Sequence, residues 1–64
     1  MRQIIKEQIL KVRDTREANM FDLNLVMQIA SREGWHELAV YLADSSSRRE
    51  YAHFILTGEA EMEG

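Results

Sequence analysis

The chain has 64 residues, enough for one small domain, and carries no Cys, which excludes disulfides and thiolate metal sites. Its 2 His are too far apart in sequence to make a zinc site. A net charge of −3 gives no general attraction to nucleic acid or anionic lipid, and no apolar run approaches the roughly 18 residues of a membrane span.

With no Pro and only 3 Gly, the apolar residues recur at helical spacing throughout. The first segment, over 1–13, places Met1, Ile5, Ile9 and Val12 on one stripe, with Ile4 and Leu10 on opposite flanks. Those flanking residues cannot both reach a core that the stripe already faces. Residues 14–19 are polar, contain Asp and Asn, and read as a connector. Asp22 then stands as the N-cap of a second segment over 23–33, with Phe21 and Val26 at the spacing of a hydrophobic staple. Leu23, Val26, Met27 and Ala30 line one side of it, and Leu25 and Ile29 extend the arc. Gly34 closes the helix in a left-handed conformation.

The third segment, over 35–44, carries Trp35, Leu38, Ala39, Leu42 and Ala43 together, with Val40 at the edge and Glu37, Tyr41 and Asp44 facing away. The serines at 45–47 break the pattern and supply a cap for a fourth helix over 48–57. There Tyr51, Ala52, Phe54, Ile55 and Leu56 cover most of the surface, and Gly58 ends it. Residues 1–58 are thus expected to form one helical domain and the acidic residues 59–64 a frayed tail. The fold class is all-α: a small bundle of four short helices with tight connectors.

An ordinary surface helix turns an apolar stripe a little over 100° wide toward its core. Segments two to four each present about 200°. A chain this short buries only about 60% of its unfolded surface, so the surplus is expected to meet another copy or another protein. Ile4, Leu10, Leu25, Ile29 and Trp35 are the candidates for self-association, completing the fold as a homodimer or small homo-oligomer.

Ala30, Gly34 and Val40 also stand where a helix-turn-helix wants a small residue, a turn glycine and a buried aliphatic, and Ile29 and Trp35 fall where it wants apolar groups. Any tight helix pair asks for the same residues. The second helix would offer His36, Glu37, Tyr41 and Asp44 outward, with no Arg, Lys, Asn or Gln to read a base edge and two carboxylates toward the phosphates. A structural hairpin is preferred, nucleic acid is not expected as a partner, and a DNA-binding regulator is the alternative.

Arg48 and Arg49 oppose the macrodipole at the start of the fourth helix. They are suited to a phosphate or carboxylate, or to pairing with Glu50. Neither His36 nor His53 has a nucleophile or second ligand at helical spacing, and no carboxylate pair or phosphate-binding Gly loop is present. The protein is therefore read as non-enzymatic, with no cofactor or metal. Tyr41, on the polar side, is a candidate contact residue of the amphipathic aromatic type enriched at interface hot spots. Glu37, Tyr41, Arg48, Arg49 and His53 are together the candidate partner-binding residues.

Four strings carry a family resemblance. They are "I-x-x-x-R-D-T" at Ile9, Arg13, Asp14 and Thr15; "N-M-F-D" from Asn19 to Asp22; "E-L-x-x-Y-L" at Glu37, Leu38, Tyr41 and Leu42; and "R-x-E-Y-x-H-F-I-x-T-G" from Arg48 to Gly58. On these the chain resembles a family of short, uncharacterised proteins from phages and prophages of Gram-positive bacteria. It departs from that family at Arg16, where a Gly or small residue is usual, and in the longer serine connector. The resemblance implies a phage accessory protein in the bacterial cytoplasm, a location that the absence of Cys fits. By analogy it also implies a binder of a host enzyme or defence complex. The N-terminus alternates charged and apolar residues too quickly for a signal-peptide core.

Overall fold

The computed structural model describes residues 1–58; the tail expected over 59–64 lies outside the described residues. The helices are α1 (Gln3–Thr15), α2 (Leu23–Arg32), α3 (His36–Ala43) and α4 (Arg48–Thr57), with a single 3-10 turn at Ser45–Ser47 leading into α4. No strand occurs among the described residues, and the fold is all-α.

α1 turns Ile5, Gln8, Ile9 and Val12 inward, the i, i+3, i+4, i+7 set of one helix face. It begins two residues later than the sequence pattern suggests and continues through Thr15. The Thr15 hydroxyl donates to the Val12 carbonyl (2.7 Å) and accepts from the Glu17 N–H (3.2 Å). Arg16 closes the helix at φ 57°, the left-handed region that favours glycine. In the connector, Asn19 accepts the Phe21 N–H on its side chain and the Asp22 N–H on its carbonyl, both at 2.8 Å.

Asp22 caps α2 as expected, its Oδ1 accepting the Leu25 N–H at 3.2 Å. The staple partners are placed differently: Val26 is fully enclosed while Phe21 is 52% exposed. Met20 packs against the core instead, because the Tyr51 hydroxyl holds the Met20 carbonyl at 2.6 Å and fixes which way the connector faces. Beyond it, Glu17 and Arg32 pair through two 2.9 Å bonds and tie the connector to the end of α2.

α2 ends in a Schellman turn. The Trp35 N–H reaches the Ala30 carbonyl at 2.7 Å, the Gly34 N–H reaches Ser31 at 3.2 Å, and Gly34 takes φ 80°. The turn folds α3 back on α2 and encloses Ala30 between them. The serines do not cap α4. Asp44 instead caps the 3-10 turn, accepting the Ser46 N–H at 3.0 Å and its hydroxyl at 2.8 Å. Those two bonds, the N–H first, hold the Asp44 carboxyl below its ordinary range.

Ile5, Ile9, Val12, Val26, Ile29, Ala30, Leu38, Leu42, Tyr51 and Phe54 form the core, each larger aliphatic contributing about 1.5–3 kcal/mol by leaving water. α1 lies across both members of the α2–α3 hairpin, whereas α4 approaches closely only the 3-10 turn. α4 is therefore joined to the core through the long side chains of Tyr51 and Phe54, and a trough is left beside α1. The wide apolar arc of α2 is largely used inside the chain: Ile29 is buried, and Leu23, Leu25 and Met27 are half-buried against the core. Ile29 is thus not available for self-association, because α2 is covered by α3 on one side and α1 on the other.

Candidate protein-interaction surface

Two grooves run along different flanks of α1. The first, about 590 Å³, lies between the start of α1 and α3, with Met1, Ile5, Val40 and Tyr41 as its apolar lining and Arg2, Glu37 and Asp44 around them. Two of its polar groups, those of Glu37 and Tyr41, are held in place by other side chains of the fold. Gln8 donates from Nε2 to Glu37 Oε1 at 2.8 Å. That bond, then the helix N-terminal N–H and the charges of Arg2 and His36, keeps the Glu37 carboxyl below its ordinary range.

Tyr41, expected to face away, is half-buried and donates its hydroxyl to Glu50 Oε1 at 2.5 Å. The reason is Glu50, whose side chain reaches Tyr41 from α4. Burial, then the Glu50 carboxylate, pushes the Tyr41 phenol well above its ordinary range. Glu50 is held low by the Tyr41 hydroxyl and, against the opposing effect of burial, by the Met1 α-amino group at 3.2 Å and the charge of Lys6.

The other candidate contact residues fall elsewhere. Arg48 donates Nε to the Leu42 carbonyl at 3.2 Å, satisfying the free C-terminal end of α3. Arg49 and His53 are exposed on α4, one turn apart, with Leu56 (74% exposed) on the same stripe. The structure therefore joins Glu37 and Tyr41 in one groove, commits Arg48 to the fold and puts Arg49 and His53 on a separate face. Of the self-association candidates, Ile4 and Leu10 are exposed on α1, while Leu25 and Trp35 are half-buried and pack on the core. The Lys11 ammonium sits 5.8 Å from the Trp35 ring centre.

The second groove, about 350 Å³, is the trough between α1 and α4, floored by Ile9, Met20, Phe54 and Ile55, with Leu10, Lys6 and Arg13 along its α1 wall.

The helix-turn-helix residues are split in the same way. Ala30 is enclosed and Gly34 makes the turn, but Val40 is 71% exposed. Leu38 and Leu42 occupy the inward positions of α3, so Val40 is carried to the opposite side. Among the described residues no three acidic or histidine side chains converge as a metal site, and no helix is long and apolar enough to cross a membrane.

Sequence reading passed over Gln8 and, though it named Glu50 and Tyr51, did not find the partners through which these three residues order the first groove and the connector. Gln8 was visible as the one polar residue at the 5–8–9–12 spacing of α1. Glu50 and Tyr51 carried no comparable signal, because their partners are 9 and 31 residues away along the chain.

By architecture this is a small all-helical domain whose α1 is flanked by apolar-floored grooves. The chain belongs to the DUF5049 family, a domain of unknown function, which matches residues 1–59. No curated protein and no solved structure matches the chain.

Proposed function

We propose that this protein is a small, non-enzymatic protein-binding module, acting in the bacterial cytoplasm as a homo-oligomer. Its setting is a phage or prophage of Gram-positive bacteria, and its role is to bind, and thereby inhibit, a host enzyme or defence complex. The observation that carries the reading is Val40. A β-branched aliphatic stands 71% exposed at an apolar groove, among polar side chains already fixed by Gln8 and Glu50. Binding there desolvates an apolar group without having to order the Glu37 and Tyr41 side chains around it, which lowers the entropic cost of association. The setting in phage biology rests on the family resemblance.

The test is affinity capture from a Gram-positive host lysate, with light scattering of the purified chain. A host protein retained by the native chain, released by Val40→Asp and indifferent to nuclease supports the reading, as does a mass above the monomer's. Retention that depends on nucleic acid and on salt favours the DNA-binding alternative and overturns it, and so does the absence of any retained protein.

A further inference from the structure

We propose that the trough between α1 and α4 receives an acidic amphipathic helix from a partner protein. The apolar stripe of that helix seats over Phe54 and Ile55, and two of its carboxylates meet Lys6 and Arg13. The inference rests on the protein-binding reading but uses a different face from the Val40 groove, so each can fail alone.

The first argument is charge. The chain as a whole is acidic, at −3, yet among the described residues the lining of this groove contains two cations and no carboxylate. Neither cation forms an ion pair among the described residues, although Lys6 lies near enough to Glu50 to lower its pKa. The Glu50 oxygens are already taken by the Tyr41 hydroxyl and the Met1 amine, so Lys6 keeps its capacity for a second carboxylate.

The second argument is spacing. Lys6 and Arg13 are seven residues apart on one helix, which places them about 10.5 Å apart along the axis and within about 20° around it. Carboxylates two turns apart on a partner helix match that interval. Leu10 is exposed between the two cations and supplies an apolar contact midway. An apolar floor with charges along one wall is the helix-in-groove mode of recognition. A polyanionic backbone is a poorer match, since it gains nothing from Phe54 and Ile55 and little from only two cations. Gly58 also lines the groove, and residues 59–64 contain Glu59, Glu61, Met62 and Glu63, so the test must separate the chain's own sequence from a partner's.

Isotope-labelled full-length chain is titrated with a synthetic helix-forming peptide of about 15 residues, with Leu at helical spacing and Glu at flanking positions two turns apart. A second peptide carries Lys at each Glu. The proposal expects shift changes at Lys6, Leu10, Arg13 and Ile55, and roughly tenfold tighter binding of the Glu peptide. Lys6→Glu with Arg13→Glu should reverse the preference. Lys6→Gln with Arg13→Gln should abolish it, which guards against misfolding of the charge-reversed variant.

Equal affinity for the two peptides, or shifts confined to Val40 and its neighbours, overturns the proposal. So does binding seen only in the Glu59→Gln, Glu61→Gln, Glu63→Gln chain, which makes the protein's own acidic residues the occupant. A DNA duplex that shifts the same residues in place of the peptide overturns it as well. Failure of host-protein capture at Val40 leaves these expectations unchanged, whereas failure of this titration leaves the Val40 reading intact.

Discussion

The side chain of Gln8 caps a helix other than its own: its Oε1 accepts the Leu38 N–H at 2.8 Å from across the core. Leu38 stands at the third position of α3, where the N–H has no partner within the helix. Trp35, the N-cap residue, makes no side-chain cap bond. One buried amide therefore terminates α3, and its Nε2 positions Glu37 at the groove.

Replacing Gln8 by the similarly sized Met leaves the Leu38 N–H buried and unpaired, at a cost of about 1–3 kcal/mol. The melting temperature should fall by about 4–8 °C for each kcal/mol, read by circular dichroism. Glu37→Gln, which leaves the Leu38 bond in place, should cost much less. An equal loss in the two variants would contradict the capping role.

Arg16 holds a left-handed backbone at φ 57° with no glycine to ease it. The conformation costs an L-residue about 1–2 kcal/mol. Glycine removes that strain but adds about 0.4–1 kcal/mol of unfolded-state entropy. The strain term wins, so Arg16→Gly should stabilise the fold by about 0.5–1 kcal/mol. Thermal unfolding of Arg16→Gly against Arg16→Val checks the sign, since the β-branched residue should destabilise.

Helix order and most ends were legible in the sequence because their causes are local. The Asp22 cap, the Gly34 turn and the Gly58 stop each act within a few residues of where they stand. Ile29, Tyr41 and the serine run were misplaced because their positions depend on contacts across the fold. α3 and α1 enclose Ile29, the Glu50 side chain draws Tyr41 inward, and Asp44 caps a 3-10 turn built from the serines. The pattern of arcs measured how apolar each helix is but not which neighbour covers it. The surplus thus lies at Leu56, Val40, Phe21, Leu10 and Ile4 rather than on α2.

Glu50 links the Met1 amine to Tyr41, and its lowered pKa makes that link pH-dependent. A carboxyl whose folded pKa is below its unfolded value stabilises the protein above about 4.5, and that stability is lost as pH falls through the folded value. Glu37 and Glu17 shift in the same direction, so the melting temperature should decline below about 4.5. Tyr41→Phe should raise the Glu50 pKa toward its ordinary value and make the acid decline shallower. A carboxyl-detected NMR titration measures the first effect directly; an unchanged Glu50 pKa in Tyr41→Phe would rule out the hydroxyl as its main cause.

Tyr51 governs the alkaline side. Its phenol is buried in the core, and burial raises its pKa from 10.0 to about 12. A raised folded pKa contributes stability that is complete below the unfolded value and is lost as pH rises from 10.0 to about 12. Tyr41 shifts in the same direction, so the protein should lose stability over that interval, with phenolate absorbance appearing together with unfolding. Tyr51→Phe removes the bond to the Met20 carbonyl, at a cost of about 0.5–1.5 kcal/mol near neutrality, and should reduce the alkaline loss. The connector should loosen with it, seen as faster amide exchange at Phe21 and Asp22, because the 2.6 Å bond from Tyr51 is what turns Met20 rather than Phe21 toward the core. Phenolate absorbance that rises well before unfolding begins would mean that Tyr51 titrates in the folded state and that burial does not set its pKa.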